Sequence, residues 1–191
     1  MRFSVKKRLD SKKIKIMAKK SETKKIDDNQ VIGMYMDYVL ENETVPKSIY
    51  KFCKVNNIKE EDFYNFFSSI EALQAAIWEK FYANTIQVAM KDDAYESFSN
   101  KDKMLTFFFS MFELLTMNRS YVLFAFNEHK STLKNLGQLK GLRKNIKSFA
   151  YDLVQDGNAD KNYKLTKKTP QLYAEGAWLQ FLFLLKFWMD D

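Results

Sequence analysis

The sequence predicts an all-α fold, with a small N-terminal three-helix unit followed by a larger helical body. Three observations carry this reading. Only five Gly and two Pro occur in 191 residues, too little turn punctuation for an all-β chain of many short strands. Apolar residues recur at three- and four-residue spacing, first at Val31, Met34, Tyr35, Tyr38 and Val39, which is one face of a helix. Hydrophobic residues make up 46% and charged residues 29% of the chain, enough to fill a sizeable core and still present a solvated surface.

Charge distribution matters more than the formal +7. Residues 1–25 hold eleven Lys or Arg against Asp10 and Glu22, a net +9, so the chain from Ile26 onward carries about −2. The basic charge is therefore a tail, expected to be disordered and solvated. Any phosphate contact it makes is sequence-blind. Met17, followed by Ala18, Lys19 and Lys20, is a second candidate initiator. No apolar run of secretory length follows the basic start, and the single Cys53 cannot form an internal disulfide. Both fit a cytoplasmic protein.

The elements follow in order. Asp27 and Asp28 suit the positive end of a first helix, which residues 41–46 break. Pro46 stands near the first turn of a short second helix, whose inner face is Ile49, Phe52 and Cys53. Asn56 and Asn57 form a tight turn, since Asn tolerates the left-handed conformation. A short third helix runs from Lys59 to Phe66. Ser68 or Ser69 caps the fourth, with Ile70, Leu73, Ile77, Trp78 and Phe81 facing inward. The stretch Asp102 to Met117 is apolar nearly all round, which predicts a central helix. Further helices are expected from Tyr121 to His129 and from Ser131 or Thr132 to Val154. Residues 155–160 read as a turn, and Pro170 opens the last helix. The run Leu172 to Trp188 is about bilayer length. It holds Glu175, Gln180 and Lys186, which are costly in lipid, so it reads as a buried or dimer-forming helix with no membrane span.

The residues from Pro46 to Leu73 carry a more specific pattern. Ser48 and Ile49 open the second helix, Cys53 takes a small-residue slot facing the turn, and Ile58 follows the turn. Phe63-Tyr64, Phe67, Ser69 and Leu73 complete it. This gapless segment resembles the helix-turn-helix of TetR/AcrR-type transcriptional regulators, in which the corresponding run is Val, four residues, Leu-Tyr, then Phe, Ser and Leu at these spacings. With the basic tail (1–25) set aside, the resemblance implies a helix-turn-helix unit (26–70) and a helical ligand-binding and dimerisation body (71–191). It implies DNA contacts from Lys47, Ser48, Lys59, Glu60, Glu61, Asp62, Tyr64 and Asn65, because the third helix of such proteins enters the major groove. It also implies dimerisation through the last helices, here Phe181, Leu184, Leu185 and Trp188. An apolar effector pocket is expected from Phe108, Met111, Phe112, Leu115, Phe124 and Trp178.

One departure stands out. The third helix starts Lys59-Glu60-Glu61-Asp62, and residues 45–67 carry four Lys against three acids, a weak electrostatic footprint for DNA. A carboxylate accepts a hydrogen bond from cytosine N4, so acidity alone does not forbid base readout. Two readings stay open: a regulator whose DNA binding an apolar effector controls, and a TetR-fold lipid- or small-molecule-binding protein that has lost sequence-specific DNA binding or uses the motif on a protein. The expected partners are a second copy of the chain, duplex DNA and an apolar small molecule or lipid. Catalysis, a cofactor and a metal are not expected. His129 is the one histidine and reads as a solvated or capping residue, and no nucleophile elbow or phosphate loop is present.

Overall fold

The computed structural model describes residues 26–127, 136–159 and 167–191. The basic tail, His129 and the helix start expected at Ser131 or Thr132 lie outside the described residues. Among these the chain forms eight α-helices and one 3-10 turn, with no strand.

Helix α1 (Asp28–Asn42) opens with a reciprocal capping box. The Asp27 carboxylate accepts from the Gln30 N–H, and the Asp27 N–H donates to Gln30 Oε1, so two otherwise orphaned donors are satisfied. Helix α2 (Ile49–Val55) is capped by the Ser48 hydroxyl, which accepts from the Lys51 N–H. The turn to α3 (Glu60–Tyr64) places Asn57 at φ 53, and the Ile58 N–H closes it on the Cys53 carbonyl at 3.0 Å. Ser69 caps α4 (Ile70–Ala89) by accepting from the Ala72 N–H. The 3-10 turn Tyr95–Ser97 leads into α5 (Asn100–Met117), followed by α6 (Arg119–Asn127), α7 (Lys140–Ala159) and α8 (Pro170–Asp190), which Pro170 opens.

Helix α4 is the hub. It packs against α5 and α7, while α7 pairs extensively with α8 and α1 rests on α6. One apolar cluster runs without a break from Val31 in α1 to Leu185 in α8. Buried polar groups are tied into it: Thr85 donates to the Phe81 carbonyl and sits 3.2 Å from Met111 Sδ. Glu175, one of the polar residues that argued against a membrane span, pairs with Lys147 and Arg143 of α7. None of the described helices is long and apolar enough to cross a membrane.

Three expectations need correction. Helix α5 is not central. It buries Phe107, Phe108, Met111 and Leu115, and leaves Phe109 76% exposed along with Leu105 and Met117. A helix apolar all round is buried on one face here, and its composition does not say which. Residues 155–159 are helical rather than a turn. Buried Asn158 accepts from the Lys168 N–H and donates to the Lys168 carbonyl, which holds a last turn that Gly157 and Asn158 disfavour by propensity. The stretch before α7 is also interrupted at residues 138–139. There Gln138 accepts from the Trp78 indole at 2.8 Å and donates to the Ala125 carbonyl at 3.0 Å, and buried Leu139 anchors the turn.

Candidate functional site

Helices α2 and α3, with the turn between them, are assembled around Phe52, Phe63 and Phe67. Phe52 and Phe63 meet edge-on at 6.0 Å, and Phe63 touches Phe67 at 5.9 Å. Packing those three rings inward turns the other side of α2 and α3 outward. Lys47, Ser48, Lys59, Glu60, Glu61, Tyr64 and Asn65 are all exposed, and Asp62 is half-buried. Tyr50, Lys51, Lys54 and Val55 share that surface. Cys53 lies beneath it, buried, and its thiol is pushed above its ordinary value by burial and then by the charges of Glu60 and Asp62. It is therefore a neutral packing group rather than a nucleophile.

The unit is tied to the body at Tyr35. Its hydroxyl accepts from Gln74 of α4 at 2.8 Å in a buried position, and its ring meets Phe52 of α2 at 6.2 Å and Tyr121 of α6 at 6.5 Å. Asp28 reaches Lys80 of α4 at 2.7 Å. Helix α4 thus holds α1 at its start and at its middle.

A cleft of about 820 Å³ opens between α5, the end of α7 and the start of α8. Beyond the lining residues α5 and α8 meet through aromatic side chains. There Phe112 contacts Phe181 at 5.9 Å and Trp188 at 6.4 Å, and Trp178 stacks on Phe181 at 5.6 Å. Space exists because Ala150, Gly157, Gly176 and Ala177 put little or nothing into it. Met104, Leu105, Phe108, Leu153, Val154 and Leu172 supply apolar walls, and Asn100, Lys101, Lys168, Tyr173 and Gln180 supply polar groups.

The residues expected at the pocket divide accordingly. Phe108 lines the cleft. Phe112 and Trp178 do not line it; both pack on Phe181 in an aromatic cluster. Met111 and Leu115 are fully buried in the core, and Phe124 on α6 packs against that core away from the cleft. The residues expected at a dimer face divide as well. Phe181 and Leu185 are buried inside the chain, and Leu184 is half-buried. Trp188 lies under the Arg119 guanidinium at 4.5 Å and donates its indole N–H to Thr116. What α8 presents outward is instead Leu172, Leu179, Phe183 and Phe187, the last two 72% and 67% exposed.

Sequence reasoning missed Lys101, Met104, Leu153, Lys168, Leu172, Tyr173, Gly176 and Gln180 as cleft residues. One signal was present: Tyr173, Gly176, Ala177 and Gln180 recur at i, i+3, i+4 and i+7, a face mixing small and polar residues inside an otherwise bulky apolar helix. Among the described residues, no group of three or more His, Cys, Asp or Glu could hold a metal.

Residues 103–191 match the family model described as tetracyclin repressor-like, C-terminal domain. That segment spans nearly all of α5 and the whole of α6 to α8. No curated protein and no solved structure matches the chain.

Proposed function

Because the chain belongs to the TetR/AcrR-type superfamily through its C-terminal domain, we propose that it is a homodimeric transcriptional regulator. An apolar effector in the α5–α7–α8 cleft controls DNA binding by the helix-turn-helix. The observation that carries this reading is the position of α4. One 20-residue helix bears Gln74 on Tyr35 near its start, and along its length packs on α5 and α7, two of the cleft's three walls. A ligand that wedges α5 from α8 biases α4, and α4 biases the helix-turn-helix. The coupling is then a difference in effector affinity between two arrangements of these helices. Lys47, Ser48, Lys59, Tyr64 and Asn65 supply the phosphate- and base-facing groups.

The test is selection of bound duplexes from a random library at moderate, stated salt. Enrichment of a palindromic site, as two half-sites for a dimer require, supports the reading. Failure to enrich any such site defeats it. A second reading is favoured by one observation, that Glu60 and Glu61 stand exposed at the start of α3. In that reading the fold binds an apolar molecule and has given up sequence-specific DNA contact. It predicts ligand binding with no selected duplex.

A further inference from the structure

The walls of the cleft are not uniform along its length, and that asymmetry points to a ligand class. The following rests on the cleft being the effector site. Among the described residues, its charged lining residues are Lys101, in the first turn of α5, and Lys168, just ahead of α8. Both stand near the starts of those two helices. Farther along the two helices the lining is apolar, through Met104, Leu105 and Phe108 of α5 and Ala177 of α8.

Among the described residues no Asp or Glu lines the cleft beside them. Asp102, beside Lys101, is held by the Ser99 hydroxyl at 2.6 Å on the helix cap and does not line the cleft. Lys168 is held in place from two directions. Its backbone N–H and carbonyl are bound by the buried Asn158 side chain, and its ammonium lies 5.1 Å from the centre of the Tyr173 ring. A fixed ammonium at the mouth of an apolar slot recognises an anion carried on an apolar tail. We infer that the cleft takes a single-chain anionic amphiphile, a long-chain carboxylate, with its head at Lys101 and Lys168 and its tail toward Phe108.

The inference is tested by displacement of a neutral apolar fluorophore from the full-length protein, with all ligands kept below micelle formation. Dodecanoate, dodecanol, dodecylammonium and decanoate are compared on the wild type and on the double variant Lys101→Met, Lys168→Met. Met keeps the apolar stems of both side chains, so dodecanol binding by the variant reports an intact cleft. Dodecanoate is expected to bind at least tenfold more tightly than dodecanol, and dodecylammonium more weakly than either. Losing two methylenes in decanoate is expected to cost on the order of tenfold. The double variant is expected to bind dodecanoate no better than dodecanol, with dodecanol unchanged. Equal binding of dodecanoate and dodecanol by the wild type, or a carboxylate preference that survives in the variant, overturns the inference and leaves the cleft as an effector site. Binding of none of the four overturns both.

Discussion

Asn57 holds the α2–α3 turn in the left-handed region, where a Cβ crowds the carbonyl and costs most residues about 1–2 kcal/mol. Asn is tolerated there because its short polar side chain can satisfy local backbone groups, and glycine is tolerated because it has no Cβ. Replacing Asn57 by Gly is therefore expected to change stability by at most a few tenths of a kcal/mol, while Asn57→Val lowers it by about 1–2 kcal/mol. The urea midpoint at constant slope reads both. Identical midpoints for the two variants would show that φ 53 is not what constrains this position. Single residues of this kind were the most legible part of the chain. Asn57 in the turn, an α4 cap at Ser68 or Ser69, and Pro170 at the start of α8 were readable in the sequence, because a cap or a positive φ is decided by a few neighbouring atoms.

Helices raise a different question, since each must choose a face. At its start α1 is fixed to α4 by Asp28 and Lys80. The hydrogen bond from Lys80 holds the Asp28 carboxyl below its ordinary 3.8, with burial opposing. A carboxylate whose folded value is depressed stabilises the fold above its unfolded value, and that contribution fades as pH falls through the lower folded one. Asp28→Asn should therefore destabilise at pH 7, by less than about 1 kcal/mol because the pair is partly solvated. The gap from wild type should close below about pH 4. A gap independent of pH would assign the effect to packing. On α3, Glu60 and Glu61 are exposed, so under the proposed DNA-binding reading Glu60→Gln with Glu61→Gln should tighten binding to all duplexes alike in gel shifts at fixed salt, phosphate repulsion being blind to sequence. Unaltered affinity would place α3 away from the DNA. Which face α5 and α8 bury was not legible, because both are apolar nearly all round. Period alone cannot say that Phe181 and Leu185 go inside while Phe183 and Phe187 go out. The cleft was hidden for a related reason. It is made by atoms that are absent at Gly157 and Gly176, between helices far apart in sequence.

At the scale of the whole molecule, the decisive feature is how much apolar surface the chain leaves uncovered. Leu172, Leu179, Phe183 and Phe187 are spaced by seven, four and four residues and all are exposed, so they form one stripe down the length of α8. Phe109 adds a further exposed ring on α5. Contiguous patches of large apolar side chains on a lone protomer mark an interface, and a two-fold axis lets the same stripe meet its own copy. Because Leu172 belongs both to this stripe and to the cleft wall, pairing of α8 helices would also restrict the cleft mouth and link effector binding to the arrangement of the two protomers. Phe183→Glu with Phe187→Glu should convert the proposed dimer to a monomer in sedimentation velocity, since opposed carboxylates would be desolvated without partners. Helical content should hold, as neither ring contributes to the chain's own core. The same variant should lose affinity for a two-half-site duplex far more than for a single half-site, because the monomer forfeits the effective concentration that links the second contact to the first. A dimer that persists through both substitutions would move the interface off this stripe, and with it the proposed link between the cleft and the spacing of the two helix-turn-helix units.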